Sequence, residues 1–240
     1  MERRLTAILA SDVVGYSRLI RENEAGTLAI VKSHRERLFE PIVAAHNGRI
    51  VKLMGDGLLI DFASAVEAVQ CAVNMQHYVG IDNKDIPQNS QVRYRIGLNV
   101  GDFVMDQDDI HGDGVNVAAR IESLSDPDGI YMSAKVIEQV KTKLDLNIED
   151  LGKHQVKIIS DPIHVFSLVM DEKARAVVSP IAPLEKAIKK ISVHRSRCRC
   201  RPDIGGRRVV VATVTHGTIT RSRQAICACV RQALHRGNGV

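Results

Sequence analysis

Asp12, closing the apolar run LTAILASDVV, and Asp56, inside the glycine-flanked turn VKLMGDGLLIDF, are the residues best set to do chemistry. Residues 5–10 are uninterrupted enough to be a strand buried on both faces. Residues 50–54 and 58–62 are two short apolar runs that fold back around Gly55, Asp56 and Gly57 as a tight hairpin. If these strands are neighbours, both carboxylates meet at one sheet edge. Acceptor-only oxygens with a backbone carbonyl nearby suit a hard cation such as magnesium.

A third segment, DDIHGDGVNVAARIE, decides what such a metal is for. Asn116 and Arg120 are four apart, so on a helix they project from one face, beside an apolar stripe of Val117, Ile121 and Leu124. That helix offers an amide and a guanidinium fork to a ligand carrying hydroxyls and phosphates.

Over residues 4–168 the chain resembles the class III nucleotidyl cyclases, with five motifs agreeing in order and spacing. The resemblance implies an adenylate cyclase acting on ATP. It implies two Mg2+ (or Mn2+) ions per active site, held by Asp12, the backbone carbonyl of Val13, and Asp56. Lys52 and Asp109 would read adenine, Asn116 would orient the ribose and Arg120 would stabilise charge on the phosphates. Arg95, in RIGLNVG, matches a pyrophosphate-side arginine, and Lys157, in HQVKIISDPIHVF, a triphosphate-binding lysine. The family places its sites at a head-to-tail homodimer interface, with the metal aspartates and Arg95 from one chain and the remaining residues from the other. Two positions depart from the pattern: His111 follows Ile110, and Asn99 stands where the family often has histidine.

The implied reaction is attack of the ribose 3′-oxygen on the α-phosphorus, with pyrophosphate leaving. Positioning and charge stabilisation carry most of such a rate. No histidine or glutamate stands out as a general base, which leaves Asp12 or water to take the proton. Adenine presents an amino donor and a ring-nitrogen acceptor, matching an aspartate and a lysine. Guanine would face each with a like partner.

Each residue also has a plain reading, as a turn aspartate, a solvated strand lysine or an exposed helix cation. The joint occurrence of the motifs favours the catalytic one. A guanylate cyclase is the nearest rival, and an inactive nucleotide-binding homologue would lack motif residues that are present here. A diguanylate cyclase would need a Gly-Gly-Asp/Glu-Glu-Phe turn where Met54-Gly55-Asp56-Gly57-Leu58 stands. A ferredoxin-like RNA-binding module would need aromatic platforms, and the chain has no Trp, 4 Tyr and 4 Phe.

The elements needed to position these residues make an α+β sandwich with a ferredoxin-like βαββαβ core and a C-terminal extension. Residues 17–45 read as one long helix, with Pro41 placed to kink it and Asn47-Gly48 to stop it. Ser64 to Glu67 is a capping-box start for a second helix. Residues 80–91 read as a polar connector and 93–104 as a strand. The Asn116/Arg120 helix, a strand at 130–132, a helix from Ala134 and a closing hairpin through residues 163–168 follow.

The net charge of +5 averages two unlike parts. Residues 1–170, the expected catalytic domain, carry 18 Lys+Arg against 24 Asp+Glu, whereas 171–240 carry 15 against 4. Beyond Ile191 there are ten arginines, one acid and the pairs Cys198/Cys200 and Cys227/Cys229, without a core pattern. The one-residue spacing suits zinc poorly, and the basic tail reads as a disordered end, such as a shifted frame or a truncation would leave. No nucleic-acid partner is expected. There is no apolar signal segment and no run of the roughly 18 apolar residues a span requires. Cys71 reads as a reduced core thiol, and a cytoplasmic protein is expected.

Overall fold

The computed structural model describes residues 2–106, 109–155 and 162–181. Strand β1 (Glu2–Val13) is followed by helix α1 (Tyr16–His34), a π-helical segment (Arg35–Phe39) and α2 (Glu40–Ala45). Hairpin β2 (Arg49–Met54) and β3 (Gly57–Phe62), helix α3 (Ala65–Asn83) and strand β4 (Tyr94–Asp106) complete the first half. The second half holds β5 (Asp109–His111), α4 (Asp113–Leu124), β6 (Ile130–Ser133), α5 (Ala134–Val140), β7 (Ile148–His154), β8 (Ile163–Leu168) and α6 (Glu172–Ala176).

The strands form one sheet in the order β2-β3-β1-β4-β6-β8-β7, with β5 pairing on β4. Within it, β2-β3-β1-β4 is the ferredoxin-like arrangement expected from the sequence. Strand β1 is central, antiparallel to both β3 and β4. Its alternation is visible in the packing. Ala7 and Leu9 join the main core with α1 to α3, while Ile8 and Ala10 pack with Ala118 of α4 on the opposite face. Complete burial of Ile8 and Leu9 stabilises the centre by roughly 1.5–3 kcal/mol per side chain. Leu5, read as part of a doubly buried run, is instead 68% exposed, because the covered stretch begins at Thr6.

The long first helix is interrupted. Asn23 leaves helical geometry (φ −158°, ψ 83°), and Pro41 sits in the first turn of α2, just after the π-helical segment. The chain stays in right-handed helical geometry across a proline that has no N–H to donate, with Glu40 N bonding to Arg35 O in the π-helical turn just before it. Asn47, at φ 52°, ends the element as expected. Ser64 caps α3 in position only, since its side chain makes no cap hydrogen bond, and Glu67 accepts instead from Asn47 Nδ2 at 2.7 Å. The capping box is therefore not formed. Nor is 80–91 wholly a connector, because α3 runs on to Asn83, whose Nδ2 ties it to Val92 O at 2.9 Å.

Packing continues past residue 170. Asp171 caps α6 by accepting from Ala174 N at 3.1 Å, and buried Ala174 and Ile181 join the main core. The readings made on residues 182–240, including both tail cysteine pairs, lie outside the described residues.

Candidate active site

Asp12 and Asp56 are brought together by the hairpin. Leu58 of β3 lies opposite Ser11 of β1, so the two-residue turn Gly55-Asp56 projects at the level of Asp12. The turn needs φ +63° at Gly55, which glycine adopts without steric penalty. The two carboxyl groups are close enough to share a hydrogen bond. Burial, then the hydrogen bond to and the charge of Asp12, push the Asp56 carboxyl up to about 6. Asp56 also borders a cavity lined by Val31, Arg35, Phe39, Leu58 and Tyr94. In its lining, Phe39 meets Tyr94 edge-on at 4.9 Å, and the Tyr94 hydroxyl lies 3.2 Å from His34 Nδ1.

Arg95 of β4 stands directly opposite Asp12 in the β1–β4 register. Its Nη2 donates to Asp12 Oδ2 at 2.9 Å, and its Nε lies 3.1 Å from Glu122 Oε1. Glu122 reaches this point from α4, whose backbone lies so close to β4 that a Cβ on Gly97 would fall 2.2 Å from Glu122 N. Burial above all, against the opposing pull of Arg95, pushes the Glu122 carboxyl up to about 7. At the start of α4, the Asn99 side chain donates to Gly114 O at 3.0 Å. The helix is thus fastened to the sheet at both ends.

On α4, Asn116 is exposed and Arg120 half-buried, one turn apart, and neither is engaged in a side-chain hydrogen bond or ion pair among the described residues. The buried face of α4 is Gly114, Ala118, Ile121 and Glu122, while Leu124, expected in the stripe, is 36% exposed. Lys52 is exposed on β2, opposite Leu59, and β2 lies against β5, the strand carrying Asp109. The Asp109 side chain and Lys157 lie outside the described residues.

Sequence reasoning passes over Glu122. The signal is nonetheless present: positions 114, 118, 121 and 122 follow the i, i+4, i+7, i+8 spacing of a buried helical face, and a carboxylate within such a face calls for a partner.

Among the described residues no group of three or more His, Cys, Asp or Glu side chains is arranged around a common point. The donor set available is the Asp12–Asp56 pair with main-chain oxygen, all hard donors suited to Mg2+ or Mn2+. Burial first, and then the hydrogen bond and charge of Asp12, raise Asp56, and a divalent cation would offset this cost of holding two carboxylates together. The residues therefore fit such an ion.

Residues 3–170 match the model of the adenylate and guanylate cyclase catalytic domain. The chain belongs to this family. It is 42% identical over 175 residues to a Rhizobium meliloti protein named "Putative adenylate cyclase 3", covering 73% of this chain and 30% of that protein. The chain thus spans under a third of that relative's length. A solved adenylate/guanylate cyclase/hydrolase from Silicibacter pomeroyi is also 42% identical, with a TM-score of 0.66 over 70% of this chain and 98% of that one. The adenylyl cyclase CyaB from P. aeruginosa, at 23% identity, shares the fold with a TM-score of 0.62, covering 70% of this chain and 96% of that one. No helix among the described residues is long and apolar enough to cross a membrane.

Proposed function

We propose that this cyclase converts ATP to 3′,5′-cyclic AMP and pyrophosphate for signalling in the cytoplasm, as a homodimer whose two sites are each shared between chains. The observation that carries the reading is the Asp12–Asp56 pair at the C-terminal end of β1, in a fold whose α4 presents Asn116 and Arg120 unengaged among the described residues.

Two divalent cations, when bound there, would acidify the ribose 3′-hydroxyl and neutralise the phosphate oxygens. Asp12 and Asp56 supply the anionic oxygens that hold them, with the carbonyl of Val13. Asn116 orients the ribose by its amide, and Arg120 offers its guanidinium to charge developing on the phosphates. The 3′-oxygen bonds to the α-phosphorus as the bond to the pyrophosphate oxygen breaks, and the 3′-proton passes to Asp12 or to water. Lys157 is assigned to the triphosphate, as a further cation on its oxygens. Lys52 donates to the adenine ring nitrogen and Asp109 accepts from its amino group. Arg95 is assigned to the pyrophosphate side, next to Asp12, to which it donates a hydrogen bond.

Base choice is the sharpest test. Lys52→Glu combined with Asp109→Cys should lower kcat/KM for ATP relative to GTP at least tenfold, since each mispaired polar group costs about 1–3 kcal/mol. An unchanged ratio, with cyclic products identified by chromatography, rules out base reading by these positions.

A further inference from the structure

Arg95 is ion-paired with two carboxylates but hydrogen-bonded to only one. It donates to Asp12 Oδ2 at 2.9 Å, whereas its Nε and Glu122 Oε1, 3.1 Å apart, are both buried and without a directed hydrogen bond. Buried charged atoms left so are costly, and the Glu122 side chain, 10% exposed, has little access to water. The two atoms already form an ion pair, and a modest rotation of the guanidinium would give that pair hydrogen-bond geometry. Glu122 itself is held in place, because the contact of α4 with Gly97 and the Asn99–Gly114 bond anchor its helix. The arginine is the movable partner.

An arginine bound to a carboxylate competes with any cation for the same oxygens. We propose that Glu122 is a positioning residue: it is the second acceptor for Arg95, receiving the guanidinium when a divalent cation takes Asp12. The inference rests on the reading of Asp12 and Asp56 as metal ligands. Arg95 then shifts its charge from Asp12 to Glu122, and a cation favours that shift by its preference for a released Asp12. Without the Glu122 charge, Arg95 stays on Asp12 and cation binding must break that pair outright.

Binding of Mn2+ alone to the full chain, followed by loss of the free-ion paramagnetic resonance signal, tests this apart from turnover. Glu122→Gln should weaken Mn2+ about tenfold, the scale of one partly buried charge interaction. Arg95→Gln should bind Mn2+ at least as tightly as the natural chain. In the Arg95→Gln background, Glu122→Gln should then cost no more than about twofold, because the competitor is gone. A residue that merely supports the fold would weaken binding equally in both backgrounds, and that result overturns the proposal. So does unchanged Mn2+ affinity in Glu122→Gln, or a tenfold loss in Arg95→Gln, which also decides the matter should Glu122→Gln fail to fold. Loss of Mn2+ binding in Asp12→Ala verifies the underlying site. Retention there overturns the metal reading itself, and the proposal with it.

Discussion

Asp12 and Arg95 are directly opposed across the β1–β4 ladder and joined at 2.9 Å. Because alternate residues of a strand share a face, this pair lies on the side covered by α4, the helix of Asn116 and Arg120. The metal side of one proposed site and the ribose side of the other are therefore linked through Arg95 and Glu122 within a single chain.

Loss of either metal carboxylate should abolish turnover. Asp12→Ala and Asp56→Ala should each lower cyclic AMP production at least about a hundredfold, an order typical of losing an essential charge-stabilising group, with the far-UV circular dichroism unchanged. Near-natural activity in either variant contradicts the two-metal reading.

Stability without metal should depend on pH. The Asp56 carboxyl is raised from 3.8 to about 6 and Glu122 from 4.5 to about 7, so the folded state binds these protons more tightly than the unfolded one. Their contribution is present below the unfolded values and lost as pH rises through the folded ones. Calorimetry in a chelator should show Tm falling by roughly 3–6 °C between about pH 5 and pH 8. Mn2+ should reverse the fall at the alkaline end, and Asp56→Asn should reduce it. A flat Tm profile contradicts the burial and crowding of these two carboxyls.

Ending the chain after Met170 should destabilise it. Ala174 and Ile181 are buried in the main core, and Tyr78 Oη accepts from Ile181 N at 3.4 Å. Burial of one isoleucine alone is worth about 1.5–3 kcal/mol, so urea unfolding should lose at least that much. Equal midpoints for the shortened and full chains would show that residues 171–181 contribute nothing.

Two inactive chains should restore each other. In a two-fold dimer with shared sites, mixing Asp12→Ala with Arg120→Ala collects both lesions in one site and leaves the other whole. With free exchange and independent sites, roughly a quarter of the natural activity should return. No recovery after verified exchange argues against sites shared between chains.

The order of the main elements, the β2-β3 turn and the family were legible in the sequence, because each rests on local patterns, whereas the short β5, the π-helical segment and α6 were not. Apolar runs make strands, a glycine flanking Asp56 makes the turn, and a four-residue step puts Asn116 and Arg120 on one face. The pairing of Asp12 with Arg95, the burial of Glu122 and the core extension to Ile181 were decided only by tertiary structure. Strand register and helix docking join residues far apart in the chain, and local spacing carries no record of which charges will face each other once water is excluded.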